Sequence, residues 1–424
     1  MRQHPGTTPF AMNTSSAAAL PAAATPAAAP APIPTLEPER IPSPMLLVTS
    51  ALIGAFAFLH VYSVQAILAI LLQDFHATVV QVGNTVGVTV LAVALTAPLM
   101  GMISDAWGRK PLIVGSVLFL ALPTMAIFWV RDIHTMLVLR FLQGLAVPGI
   151  TVVILAYIGE EFRGRNMARM VSMYVSGTVL GGFLGRFLIG HLSEHMHWQT
   201  AFLFMGLVNL AGAVLVWRIL PPSRHFVANP RFADGLHTLR MHVANPAVLT
   251  ACALGFCVLF TLVGGFTYIN LHLADAPYML SSGQLANIFA VYLLGVVVTP
   301  VTSRLLPRFG FRTTILLAMG MSLAGLCLTL LPFTPGIIVA LAIMSTGIFI
   351  TQSSTISFIA HRVSEGRSLA SGLYYMAYYC GGFTGAWLCG IAYTHGRWHG
   401  TVALLCAVVC TALLIVRRWM PTKV

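Results

Sequence analysis

The sequence predicts an all-α membrane protein with twelve transmembrane helices arranged as two six-helix bundles. Three observations carry that prediction: apolar runs of membrane-spanning length fill the chain, positive charge alternates between the connections, and the two halves repeat. Of 424 residues, 58% are hydrophobic and 8% are charged, against roughly 25% charged in an average soluble domain. Apolar runs of roughly 20 residues, the length a helix needs to cross a bilayer, recur along most of the chain. This composition excludes an ordinary soluble enzyme, a disordered chain and a small disulfide-stapled domain. A transmembrane barrel is excluded as well, because its strands are short and alternating.

Taken in order, residues 1–44 stand apart. Ala17 to Pro34 is almost entirely Ala and Pro, which cannot bury a core, so a disordered cytoplasmic tail is expected. Six apolar runs come next, at about 46–72, 80–101, 111–130, 134–158, 167–189 and 199–219. They form a first bundle over 45–220. The polar segment 221–246, with Pro221, Pro222, Arg224, Arg231, Asp234 and Arg240, reads as a central cytoplasmic loop. Six more runs at about 247–271, 284–304, 313–331, 336–359, 368–392 and 401–419 form a second bundle over 247–424.

Basic residues test this count, since Lys and Arg gather on the cytoplasmic side of membrane proteins. With the N-terminus inside, 19 of the 23 Lys and Arg fall in inner segments. The outer loops hold only Arg131 and Arg397, and Arg140 and Arg186 lie within spans. Both termini are therefore expected in the cytoplasm. The net charge of +12 does not indicate nucleic acid, because the basic residues form no stripe. The seven cysteines all lie in apolar runs of the second half, and no structural disulfide is expected.

The halves repeat at their second connection. Gly101-Met-Ile-Ser-Asp105-Ala-Trp-Gly108-Arg109-Lys110 joins spans 2 and 3, and Arg304-Leu-Leu-Pro307-Arg308-Phe-Gly310-Phe-Arg312 joins spans 8 and 9. Such repetition is the signature of a transporter whose binding site lies between the repeats, near the midplane. Gly101 permits close helix approach. Gly108 can take the positive φ of a tight turn. Asp105 can accept free helix amides, and Arg109 and Lys110 hold the loop inside. In span 4, Arg140-Phe-Leu-Gln143-Gly144 puts a guanidinium in an apolar helix. That costs about 2.5–3.5 kcal/mol on insertion scales, so a functional or paired role is the default.

These motifs resemble those of the major facilitator superfamily over all of the chain after the tail. The resemblance implies that the 101–110 loop is a conformational latch, against the plainer reading of a topology-fixing hairpin. It links Arg140 to proton coupling, against a structural arginine bonded to backbone carbonyls. Gly177-Thr-Val-Leu-Gly181-Gly182-Phe-Leu-Gly185-Arg186 resembles the helix-5 motif of drug-efflux antiporters, with Gly182 in place of the proline and Arg186 in place of the last glycine. Tyr62-Ser-Val-Gln65, Phe266-Thr-Tyr268-Ile and Ser371-Gly-Leu-Tyr374-Tyr375-Met-Ala-Tyr378-Tyr379 resemble segments of a bacterial drug- and sugar-efflux-like, twelve-helix branch. Membership of that branch implies a bacterial inner (plasma) membrane protein, monomeric, with small molecules, protons and lipid as partners.

No acidic residue falls in the middle of a span, whereas both midspan charges are cationic. A desolvated cation needs a counter-charge, so a neutral or anionic substrate is expected. Tyr62, Gln65, Tyr268, Asn270, Gln352, Tyr375 and Tyr378 are candidate cavity residues, with local helix packing as the alternative for each. The tyrosine pairs 374/378 and 375/379 each lie one turn apart, on adjoining faces. His60 titrates in a useful range and joins Arg140, Gln143 and Arg186 as a coupling or substrate candidate. The exposed His191, Glu194, His195 and His197 read as a solvated loop rather than a metal site. No phosphate-cradling motif or catalytic triad is found, so no cofactor, metal or enzymatic activity is expected. The expected function is proton-coupled efflux of small neutral or weakly anionic compounds such as drugs or sugars. An importer or facilitator of an organic anion, with Arg186 binding substrate, is the alternative; a transport-inactive sensor is a remote one.

Overall fold

The computed structural model describes residues 41–223, 244–363 and 367–421. Nearly all of the expected tail, residues 224–243 of the central loop and Glu365 lie outside the described residues. The described chain is helical, and its caps explain where helices start. Helix α1 (Pro44–Leu59) has Pro44 in its first turn and Ser43 accepting the Leu46 amide, which suits a residue whose ring fixes φ and lacks an N–H. After a break at 60–62 it resumes as a short 3₁₀ turn, Ser63–Ile67, and then Leu68–Asp74, bent by 47°. Thr78 and Gln81 form a reciprocal capping box at the start of α2 (Val79–Trp107). Helices α3 (Arg109–Ala126), α4 (Ile133–Glu161), α5 (Gly164–His195) and α6 (Trp198–Ile219) complete the first half.

In the second half, α7 (Pro246–Ala274) again starts on a proline, capped by Asn245. Helix α8 starts as Ser282–Ile288, passes through the 3₁₀ segment Phe289–Leu293, and continues over 294–309. Gly310, at φ 74°, separates it from α9 (311–328). Helix α10 is Thr334–Arg362, and Arg397, at φ 50°, divides the last long element into α11 (367–396) and α12 (398–419). Among the described residues, nine uninterrupted or kinked helical stretches are long and apolar enough to cross a membrane, besides the bent α1 pair. Two of them, of 47 and 51 residues, are about twice the roughly 20 residues that one crossing needs. Each crosses twice, one turning at Gly310 and the other at Arg397. The result is twelve spans in two six-helix bundles.

The repeat seen in sequence is a repeat in backbone. Gly108 (φ 91°, ψ 159°) and Gly310 (φ 74°, ψ 166°) adopt the same positive-φ turn between the second and third helices of their halves, a conformation that glycine takes without Cβ strain. Helix pairing repeats too. A Cβ on Gly177, Gly181 or Gly185 of α5 would lie 1.9, 2.3 or 1.8 Å from a carbonyl oxygen of Ala51, Ala55 or Leu59 on α1. On α11, a Cβ on Gly381 or Gly385 would lie 2.1 or 2.5 Å from the carbonyl oxygen of Phe256 or Phe260 on α7. In each half, the fifth helix meets the first backbone to backbone through glycines four residues apart. Small residues permit that approach where lipid supplies no hydrophobic drive.

Candidate functional site

With an even number of spans, the start of α1 and the end of α12 share one face, the termini face. Several bonds join the halves toward the opposite face. Ser282 Oγ donates to the Gly190 carbonyl at 2.8 Å, the Gly283 amide donates to Glu194 Oε1 at 3.0 Å, and His191 Nε2 meets Asn287 Oδ1 at 3.0 Å. Helices α2 and α11 meet through Gly83, Gly87 and Gly390, whose missing side chains leave room for the Tyr268 ring, Ala386 and Val80. Tyr268, expected in a cavity, fills this contact and donates its hydroxyl to the Ala386 carbonyl.

Arg186 sits at the centre of the contact between halves and is 1% exposed. Its Nε donates to Gln65 Oε1 at 2.8 Å and its Nη1 to the Gly182 carbonyl at 2.5 Å. Gln65 Nε2 in turn donates to Thr267 Oγ1 of α7 at 3.0 Å. The chain Arg186–Gln65–Thr267 thereby ties α5 and α1 of one half to α7 of the other. Three rings surround the guanidinium carbon: Tyr62 of α1 at 4.7 Å, Phe289 of α8 at 4.5 Å and Tyr292 of α8 at 4.6 Å. Phe266 stands behind Tyr292, with centroids 4.6 Å apart, and Phe349 of α10 lies 6.0 Å from it. The Nη2 of Arg186 is buried and has no hydrogen-bond partner.

Arg140 is just as buried but fully occupied. It donates to the carbonyls of Thr85 at 2.9 Å, His60 at 2.7 Å and Val61, and to Gln143 Oε1 at 2.6 Å. Gln143 Nε2 passes the bond on to Thr124 at 2.7 Å. His60 and Val61 are the residues at which α1 breaks, so Arg140 satisfies the carbonyls that the break orphans. His60 is fully buried beside it, and neither of its ring nitrogens has a hydrogen-bond partner. At the termini face, Arg109 pairs with Asp105 at 2.7 Å and Glu160 at 2.5 Å and also bonds Ser104. The 101–110 loop is thus tied to the end of α4. Lys110 is half-buried beside Arg109, and a Cβ on Gly101 would meet nothing within 4 Å.

The tyrosines of α11 pair as their spacing predicts. Tyr374 and Tyr378 stack at 5.9 Å, and Tyr375 and Tyr379 at 6.4 Å. Tyr374 is buried against Gly255 of α7, whereas Tyr375 is 38% exposed. Tyr378 and Tyr379 lie within electrostatic reach of Tyr62, and Tyr379 of Tyr174 on α5. Asn270 is buried, with its amide nitrogen donating to the Phe266 carbonyl at 2.6 Å and its oxygen unpartnered. Gln352, half-buried, stands one turn along α10 from Phe349. Phe289, Tyr292 and Phe349 do not stand out as site residues in the sequence, and Phe266 and Thr267 enter it only as members of the Phe266-Thr-Tyr268-Ile segment. The spacing Phe289-x-x-Tyr292, one helical turn, is the available signal.

Two six-helix bundles related by a repeated hairpin, with a polar bridge between them, are the architecture of a membrane transporter built from repeats. The chain belongs to the Major Facilitator Superfamily, whose sequence pattern matches residues 50–368 and 276–424. It is 30% identical over 374 residues to the inner membrane transport protein YnfM of Escherichia coli, covering 88% of this chain and 89% of that one. It is 26% identical over 275 residues to the chloramphenicol resistance protein CraA of Acinetobacter baumannii, covering 63% and 65%. The fold is similar to that of the nucleoside transporter NupG, with a TM-score of 0.73 at 13% identity over 89% of this chain and 100% of that one.

Proposed function

We propose that the chain is a proton-coupled exporter of small neutral or weakly anionic compounds in a bacterial inner membrane, with both termini in the cytoplasm. One observation carries this reading. The centre of the contact between the halves holds a buried cation, Arg186, with an unpaired donor. Among the described residues, no acidic side chain occupies the middle of a span to hold a cationic substrate. Export is favoured by the likeness to CraA, a chloramphenicol resistance protein, since resistance by a carrier follows from moving a drug outward. The groups that carry coupling then sit at the faces: Asp105 and Glu160 with Arg109 on the termini side, and Glu194 with His191 opposite.

A second reading, uptake or facilitated passage of an organic anion, is favoured by the same free Nη2. Inside-out vesicles with an acidic interior separate the two. Adding a substrate should release protons from wild-type vesicles and not from Arg186→Gln vesicles that hold equal amounts of protein. Substrate accumulation without proton movement would reject coupled export, and an unchanged Arg186→Gln variant would reject the site.

A further inference from the structure

The two buried arginines differ in their hydrogen-bond partners. Arg140 directs its donors to three carbonyls and Gln143, so it is satisfied without an anion. Arg186 directs Nε to Gln65 and Nη1 to Gly182, and Nη2 is left over at 1% residue exposure. A buried guanidinium with an unused nitrogen and no carboxylate bonded to it bears a desolvation penalty without full compensation. The rings around it offset part of that cost through cation–π attraction. The same rings also restrict how a ligand can approach. The guanidinium carbon lies over the rings of Tyr62, Phe289 and Tyr292, 4.5–4.7 Å from their centroids. Nη2 is the nitrogen left for a ligand, and guanidinium and carboxylate hydrogen-bond best in the guanidinium plane.

We infer that this site takes a small aromatic monocarboxylate, its carboxylate on Nη2 of Arg186 and its ring among Tyr62, Phe289, Tyr292, Phe266 and Phe349. The inference rests on the reading of this contact as the transport site, and it narrows the substrate from neutral or weakly anionic compounds to one class. The charge follows from one free donor group and one unneutralised cation. A dianion would need a second cation, and Arg140 is already engaged. The aromatic body follows from the lining chemistry, because Tyr62, Phe289, Tyr292, Phe266 and Phe349 offer ring faces and edges to an aromatic ligand. In this state Phe266 touches Tyr292 and Phe289, with centroids 4.6 and 5.7 Å apart, so the ligand enters as these rings part. The site is also built from both halves: Arg186, Tyr62 and Gln65 from the first, Thr267, Phe289, Tyr292 and Phe349 from the second. A ligand held this way binds differently when the halves separate, as substrate-driven switching requires.

The test measures binding to the purified full chain in nanodiscs by calorimetry, with benzoate, benzamide, phthalate, cyclohexanecarboxylate and benzylammonium as probes. Benzoate is expected to bind at least tenfold more tightly than benzamide, phthalate and benzylammonium. Arg186→Gln should lose at least tenfold in benzoate affinity, and Tyr292→Leu should weaken benzoate more than cyclohexanecarboxylate. Equal affinity for benzoate and benzamide in the wild type overturns the inference, and needs no variant to fold. So does an Arg186→Gln protein that binds benzoate unchanged, or a wild type that binds no acid. If the acids fail while neutral drugs still drive proton release from vesicles, this inference falls and the exporter reading stands. If no compound binds or moves, both fall.

Discussion

The tightest helix pair in the first half is α1–α5, and its contact can be measured with two neighbouring glycines. A Cβ at Gly181 would lie 2.3 Å from the Ala55 carbonyl oxygen and 2.5 Å from its Cα. At Gly182 the nearest atom would be Arg186 Nη1, 3.6 Å away, an ordinary contact. Both positions lie within α5, so both alanines gain the same helix propensity, about 0.8–1.0 kcal/mol. What differs is steric. Ordinary contact begins near 3.4 Å, so Gly181→Ala must push α1 and α5 apart by roughly 1.1 Å, a strain of about 1–3 kcal/mol or more in a packed interior. The opposing atoms are backbone, which cannot swing aside as a flexible side chain would, so the upper part of that range applies. Gly181→Ala is therefore expected to be net destabilising by about 1–2 kcal/mol after the propensity gain, and Gly182→Ala to be neutral or slightly stabilising. Thermal melting of both proteins in one detergent, followed by tryptophan fluorescence, reads the difference. Equal melting temperatures, or a more stable Gly181→Ala, would refute the claim that backbone contact sets this helix pair.

Two further substitutions probe the polar networks. Arg140→Ala removes the side-chain partner of the Val61 carbonyl and one of two partners of the His60 carbonyl, which also accepts from the Ser63 hydroxyl, at the break of α1; at about 1–3 kcal/mol for a buried group left unmade, less folded protein should be recovered on size-exclusion chromatography. Normal yield and melting with lost transport would instead make Arg140 a coupling residue. Glu160→Gln weakens the tie from the 101–110 loop to α4, where Arg109 is 7% exposed, and should cost about 1–3 kcal/mol of stability while speeding cysteine labelling at the termini face. Unchanged labelling would leave the loop as a hairpin without a latch.

Much of the fold was legible because bilayer thickness and loop charge act on sequence directly. The runs at 80–101 and 134–158 fall inside α2 and α4, and Gly108 and Gly310 mark their turns by residue type alone. The one-turn tyrosine pairs were legible for the same local reason. The break in α1 was not: residues 60–62 are His-Val-Tyr, with no proline or glycine to announce it. It is stabilised from 80 positions away by Arg140. Tyr268 reads as a cavity residue because it is an aromatic in a segment that resembles the efflux-like branch, and its hydroxyl instead meets a backbone carbonyl that Gly83 and Gly390 allow it to reach. In a membrane span the lipid face and the core face are both apolar, so periodicity does not say which side a tyrosine takes.

Residue type alone treats the two midspan arginines alike, and the structure separates them by what they bond. A buried polar group in a native protein is almost always hydrogen-bonded, so an orphaned one calls for a reason. Arg140 has no such need: its nitrogens close a helix break, and its role is accounted for within one half. Arg186 is tied to the opposite half through Gln65 and Thr267, meets that half's Phe289 and Tyr292 beside Tyr62 of its own, and keeps one nitrogen unpaired. A group that both bundles hold in one state, and that lacks one partner in that state, is placed where a substrate's charge changes the balance between states. That balance is also where coupling can enter without a carboxylate in midspan. Under the proposed coupling, a proton acts on the substrate's own acid group or on the carboxylates at the two faces, and the proposed affinity of Arg186 for the anion links the two.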